Sequence, residues 1–374
     1  MRYYIIAGEA SGDMHAANLM EQIKRRDAKA DFRFWGGDRM VEQGGQLVKH
    51  YKHHAFMGFA EVIVNIRTIL KNLACCKKDL KAYNPDIVIL VDYPGFNLRI
   101  AEFVKKQGIK VAYYISPQIW AWKESRIHKI KKYVDQMFVI LPFEKAFYQK
   151  HQMEVSYVGH PLLDELQKRR HDMDEADFRT ANELDHRPVV ALLPGSRKQE
   201  IRRMLPVMLK AASKHPSYQY VIAGTPDTDV EIYHSMMDGY DVHLLINKTY
   251  ALLQIASAAM VTSGTASLET ALFHVPQLVM YKTSAISYRI ARMLVHINYI
   301  SIANLVFQKE IFKEFIQADC HSDAVAEELD RLMNDTHYRN AMLEYYALLD
   351  EKLGGGGASE KVARQLIPTA APIA

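Results

Sequence analysis

The chain has 374 residues, 49% of them hydrophobic and 24% charged, with a net charge of +4. Those proportions exclude disordered, collagen-like and disulfide-scaffold classes, and the length predicts two domains. Three cysteines without a CxxC pair (Cys75, Cys76 and Cys320) argue for free thiols in a reducing compartment and against structural zinc, while the charge is too small for a dedicated nucleic-acid binder and suits a phosphorylated substrate or an anionic membrane surface.

In chain order, Tyr3–Ala7 reads as a short buried strand ending in Gly8, and a helix is expected from about His15 to Arg26. MRYYIIAGEASGD has too few apolar residues for a secretory leader, and no run approaches the ~18 of a membrane span. Asp86–Val91, Lys110–Ile115 and Gln136–Leu141 are further β-branched or apolar runs, with a helix over Leu98–Gln107 between them. Continuous runs of this kind suit a parallel sheet buried on both faces. The charged stretch Leu163–Pro188 reads as a solvated helix plus linker. The pattern then restarts, with strands at Val189–Leu193, Tyr218–Ala223, Ala259–Thr262 and Gln277–Tyr281, and a GGGG run at Gly354–Gly357 precedes a last helix. Two successive βαβ halves predict two Rossmann-like domains, their carboxyl edges facing across a cleft. The expected divisions are 1–165, 166–350 and a C-terminal turn and helix over 351–374 that packs back on the first domain.

Four turns carry residues suited to chemistry. Gly8-Glu9-Ala10-Ser11-Gly12-Asp13 links the first strand and helix, where backbone N–H groups and a helix N-terminus favour an anion; an ordinary βα turn with Ser11 or Asp13 as N-cap is the alternative. Asp92 follows a fully apolar strand, at the end that opens into the ligand crevice of an α/β sheet. Apolar surroundings raise a carboxyl's proton affinity, which suits a general base; capping of the next helix is the competing role. Pro194-Gly195-Ser196-Arg197 opens the second half, placing Ser196 and Arg197 where a guanidinium grips a phosphate. Glu200 would orient the arginine, or form a surface pair with it. Ser263-Gly264-Thr265-Ala266 opens another helix as an anion cradle, and Glu269 would accept ribose hydroxyls or belong to a capping box begun by Thr265.

Other signals are weaker. Trp120 and Trp122 would face a sugar or apolar ligand, or pack in the core. Asp227-Thr-Asp229 has metal-binding spacing but reads as a turn, and His50, His53 and His54 lack a carboxylate partner and read as an exposed loop. From Phe59 to Leu73 the apolar residues follow helical spacing. Periodicity alone favours a core-facing helix; Arg67, Lys71, Lys77 and Lys78, with the Met57-Gly58-Phe59 lead-in, favour a lipid-facing one.

GEASGD (8–13), GG (36–37), MGFAEV (57–62), DYPGFN (92–97), YYISPQIWAW (113–122), LPFE (141–144), YVGHPLLD (157–164), LLPGSRKQE (192–200), SGTASLE (263–269) and GGGGAS (354–359) occur in that order. Together they resemble lipid-A-disaccharide synthase, and SGTASLE also resembles the donor-nucleotide segment of GT-B glycosyltransferases. The resemblance implies an α/β GT-B fold, two Rossmann-like domains with an interdomain active-site cleft. It implies inverting transfer of 2,3-diacylglucosamine from UDP to the 6-hydroxyl of 2,3-diacylglucosamine 1-phosphate (lipid X), without metal or cofactor. On this reading Asp92 is the base and Arg197 stabilises the leaving diphosphate. Glu9, Ser11, Gly12, Ser196, Ser263, Gly264, Thr265, Ala266, Glu269 and Asn304 approach the UDP donor, with Gln317 a weaker addition. Met57, Val62, Ile63, Ile66, Ile69, Leu70 and Met204 form the acceptor and membrane face. The enzyme would be cytoplasmic and peripheral on the inner membrane, without nucleic acid, and a homodimer crossing over after Asn304 is compatible with the sequence.

Other readings remain open at this point. A UDP-sugar epimerase shares the fold but needs neither DYPGFN nor a basic apolar helix. A membrane-associated glycosyltransferase of peptidoglycan synthesis would carry a glycine-richer first turn such as GGTGGH. A sugar-nucleotide sensor would keep the second cradle without needing an acid at Asp92.

Overall fold

The computed structural model describes residues 1–53, 65–169, 173–226, 228–295 and 297–367. Two compact units emerge: 1–166 with 353–374, and 167–352. Each is built on a wholly parallel sheet.

The first sheet comprises β1 (Arg2–Ala7), β2 (Asp31–Gly36), β3 (Gln46–His50), β4 (Ile87–Val91), β5 (Lys110–Tyr114), β6 (Gln136–Val139) and β7 (Ser156–Tyr157). Its order is β3-β2-β1-β4-β5-β6-β7. Alternation along β1 sends Tyr3, Ile5 and Ala7 to one face and Tyr4 and Ile6 to the other. The first set packs with Ala16, Leu19, Met20 and Ile23 of the Ala10–Arg26 helix and with Val362 and Leu366 of the last helix, Ala358–Leu366. The second packs with Trp35, Leu73, Leu80, Ile100 and Val104, closing the opposite layer.

The second sheet comprises β8 (Val189–Leu193), β9 (Gln219–Gly224), β10 (Val242–Ile246), β11 (Ala256–Thr262), β12 (Gln277–Tyr281) and β13 (Glu314–Ile316), in the order β10-β9-β8-β11-β12-β13. The strand runs read from the sequence recur within a few residues. The charged stretch differs: it forms two helices, Leu162–Arg169 and Glu175–Ala181, and Leu163, Glu165 and Leu166 are buried rather than solvated.

The strand orders position the chemistry. In the first sheet the chain winds outward from β1 in one direction and from β4 in the other, so the order reverses between these neighbours, with Ala7 beside Val91. In the second it reverses between β8 and β11, with Leu193 beside Val261. At such switch points the following loops part and leave a crevice beyond the carboxyl ends of the strands. GEASGD and DYPGFN follow β1 and β4; PGSR and SGTA follow β8 and β11.

Candidate functional site

In the first unit the helix after β1 begins at Ala10, with Glu9 as its N-cap. Ser11, Gly12 and Asp13 therefore lie in its first turn rather than in a loop, and neither Ser11 nor Asp13 is the N-cap. Ser11 is half-buried, while Gly12 is buried against Ala7 and Val91, so it supports the turn from within. Asp13 is buried and accepts backbone N–H groups of Gly37 (2.5 Å), Arg39 (3.1 Å) and Met40 (3.3 Å), fixing the turn that carries the GG pair. Gly8 leaves no room for a side chain: a Cβ there would lie 2.3 Å from the Tyr93 ring.

Asp92 is half-buried at the end of β4. Tyr93, not Asp92, occupies the N-cap of the Pro94–Lys106 helix, and no side chain caps it. Asp92 and Tyr93 both have left-handed backbones, φ +43° and +49°. That conformation costs about 1–2 kcal/mol for a residue with a Cβ and concentrates at functional sites. Two groups hold the strained corner: Tyr113 Oη donates to the Asp92 carbonyl (2.5 Å), and Asn97 Nδ2 donates to the carbonyls of Val91 (3.2 Å) and Asp92 (2.8 Å). The Asp92 carboxyl is left to titrate. Desolvation, then the negative charges of Glu9 and Glu144, push it up to about 7.

Glu144, three residues into the helix after β6, is a positioning group that sequence reasoning left without a role. It is buried and accepts Ser116 Oγ, the backbone N–H groups of Ile140 (3.0 Å) and Leu141 (2.9 Å), and Trp120 Nε1 (3.3 Å). Its position just inside a helix, after strand and proline, is an N-terminal capping signal; its reach to Ser116 and Trp120 is visible only in the fold.

In the second unit Ser196 and Arg197 are exposed at the end of β8. Glu200 turns back over them: one carboxylate oxygen pairs with Arg197 at 2.7 Å, the other accepts the N–H groups of Ser196 and Arg197 at 3.3 Å. After β11, Gly264 is the N-cap and Thr265 the first residue of the Thr265–Leu272 helix, so Thr265 is not the cap. Gly264 and Thr265 are exposed, Ser263 and Ala266 half-buried. Glu269, half-buried on the same helix, accepts Tyr250 Oη at 2.9 Å.

Three residues assigned from the sequence have their partners within the second unit. Asn304 is fully buried. Its Nδ2 donates to the Phe312 carbonyl and Glu314, and its Oδ1 accepts the Ile311 N–H at 2.8 Å. It braces the approach to β13. Gln317 is similar, pairing with both backbone groups of Thr283. Met204 lies in the core of the second unit, 1% exposed, because the Lys198–Ala212 helix turns that face to its sheet; it belongs to no lipid-facing surface. Met57, Val62, Ile63, His54 and Asp227 fall outside the described residues. Ile66 and Leu70, on the Ile66–Tyr83 helix, are exposed, and Ile69 packs on the core. Among the described residues no helix is long and apolar enough to cross a membrane, and no three His, Cys, Asp or Glu side chains gather as a metal site.

The family model for lipid-A-disaccharide synthetase matches residues 3–359. The lipid-A-disaccharide synthase of Syntrophus aciditrophicus is 41% identical over 366 residues, covering 96% of this chain and 95% of that one. That of Geobacter metallireducens is 37% identical over 369 residues, covering 97% and 95%. Among solved structures, a UDP-GlcNAc 2-epimerase from Neisseria meningitidis bound to UDP-GlcNAc superposes with a TM-score of 0.70 at 14% identity, covering 98% of this chain and all of that one. The glycotransferase of kitacinnamycin gives 0.67 at 13% identity, covering 98% of each. At such identities these structures establish the fold alone: two Rossmann-like units of GT-B type. The sequence matches carry more, and by them the chain belongs to the lipid-A-disaccharide synthase family, glycosyltransferases of lipid A biosynthesis.

Proposed function

We propose that this enzyme transfers 2,3-diacylglucosamine from its UDP derivative to the 6-hydroxyl of 2,3-diacylglucosamine 1-phosphate, with inversion. The observation carrying this reading is Asp92: a strained, desolvated acid at the switch point of the first sheet, titrating near neutrality. The Asp92 carboxylate takes the proton from the 6-hydroxyl as that oxygen bonds to the anomeric carbon. The bond from that carbon to the diphosphate breaks, and the charge leaves on UDP. Glu9 keeps Asp92 basic from the neighbouring strand end, and Ser11, in the first turn of the helix that follows, would approach the donor.

Ser196, Arg197 and the Ser263–Ala266 turn would hold the diphosphate, and Glu269, steadied by Tyr250, would hold the ribose. Glu200 already sits where the phosphate would bind, so diphosphate binding exchanges Arg197 from Glu200 to the ligand. The exposed Ile66 and Leu70, with Lys71 and Lys77 on the same helix, suit acyl chains and an anionic membrane surface, which supports a peripheral position on the inner membrane.

Purified protein mixed with UDP-diacylglucosamine and lipid X in EDTA, followed by mass spectrometry, tests this. Disaccharide 1-phosphate with one UDP per product is the expected result. UDP without disaccharide, or an epimerised donor, contradicts it.

A further inference from the structure

A second cluster stands at the same edge of the first unit, unused by the proton transfer described above. Trp122, in the turn after β5, is half-buried, and two cations lie over its ring. Lys123 Nζ is 4.6 Å and the Arg126 guanidinium carbon 4.9 Å from the ring centroid. Arg99, on the Pro94–Lys106 helix, is near enough for its charge to lower the proton affinity of Arg126; burial is the larger cause. Lys123 is likewise lowered, by burial and then by Arg126. Lys123 also holds a left-handed backbone, φ +56°.

The neighbouring acids have other partners: Glu124 lies 2.9 Å from His151 Nε2, and Glu102 pairs with Lys106 at 2.9 Å. Among the described residues Arg99, Lys123 and Arg126 have no ion-pair partner. Two like charges over one ring, with Arg99 close enough to act on Arg126 and no internal counter-ion, repel one another, and an anion relieves that repulsion. The indole face fixes the cations over it and orients the guanidinium fork toward two oxygens of one group. The cluster adjoins the base: Arg126 lies within electrostatic range of Tyr113, whose hydroxyl holds the Asp92 carbonyl.

We propose that Lys123 and Arg126, arrayed on Trp122, with Arg99 near Arg126, form the subsite for the phosphomonoester of the acceptor sugar, anchoring it while Asp92 meets the hydroxyl at the other end. This rests on Asp92 being the acceptor's base. A bilayer phosphate is the less favoured source, because the cluster stands beside Asp92 while the exposed apolar residues Ile66 and Leu70 lie on a different helix.

The test compares two acceptors, 2,3-diacylglucosamine 1-phosphate and the same sugar with a free 1-hydroxyl, in the full-length enzyme. Arg126→Gln and the exposed Lys123→Ala should each lower kcat/KM for the phosphorylated acceptor about 10- to 100-fold, mainly through KM. The unphosphorylated acceptor and the donor KM should stay within about twofold. Arg126→Lys should recover part of the loss. Equal loss on both acceptors, or none on either, overturns the subsite. So does an intact acceptor preference in variants that lose only binding to phosphatidylglycerol vesicles. If the unaltered enzyme turns over neither acceptor, the transfer reading fails by itself. Calorimetric binding of diacylglucosamine 1-phosphate then still decides: weaker binding to Arg126→Gln supports the subsite, and unchanged binding overturns it.

Discussion

The first βα turns of the two sheets both place an acid just inside the following helix, and the two carboxylates go opposite ways. Glu200 folds back over its own turn, pairing with Arg197 and accepting two backbone N–H groups. Asp13, buried, reaches across to the next short helix, Asp38–Glu42, and caps it through Gly37, Arg39 and Met40. The helix that carries Asp13 has no side-chain cap of its own. The second turn thus holds an internal anion where a phosphate is proposed to bind, whereas the first commits its acid to architecture.

The largest effect expected falls on neither of these acids but on Asp92. Asp92→Asn should lower turnover about 10²–10⁴-fold, with the UDP dissociation constant within about twofold by calorimetry; near-normal turnover would remove Asp92 as base. Asp13→Ala strands three N–H groups, two of them buried, and should cost about 2–4 kcal/mol in urea unfolding. Glu200→Ala removes a more exposed cap and should cost about 1 kcal/mol. Equal losses would break the contrast between the two turns.

A third effect concerns charge. The Asp92 carboxyl is raised from 3.8 to about 7, so its ionised form disfavours folding above about pH 7 and the penalty disappears below about pH 4. Asp92→Asn should therefore raise the melting temperature at pH 8 and leave it nearly unchanged at pH 4; the opposite pattern would mean the carboxylate is stabilised by the fold. The smallest effect is on ligand affinity. Glu200→Gln removes a competitor for Arg197 and should tighten UDP binding by up to about fivefold, the worth of an exposed ion pair. Weaker binding would show that Glu200 orients Arg197 rather than competing for it.

Much of the fold is legible in the sequence because buried parallel strands must be apolar on both faces. Val189–Leu193 and Gln277–Tyr281 announce themselves this way. The acids and small residues after β1, β4, β8 and β11 are legible too, since they interrupt those runs at the carboxyl ends. What the sequence hides is partnership across the chain. Asp13 answers to the Gly37 turn, and Asp164 to the N-terminus of the last helix, whose Gly357 and Ser359 N–H groups it accepts at 2.6 and 3.0 Å. Gly159 and Gly354 meet backbone to backbone, where a Cβ on Gly354 would lie 2.8 Å from the Gly159 Cα. Asn304 is assigned to the donor through the family resemblance alone, and its hold on Phe312, Ile311 and Glu314 is visible only in the fold. Met204 was misread because one methionine on an amphipathic helix does not say which sheet it faces.

The dependence of kcat/KM on pH tests the central assignment most directly. The account predicts an acidic limb with an apparent pKa near 7, activity falling about tenfold per unit below it. Glu9→Gln should move that limb to lower pH, because it removes a charge that raises Asp92. The residual activity of Asp92→Asn should lack it. A flat profile from pH 5 to 8, or a limb that persists in Asp92→Asn, would contradict Asp92 as the base.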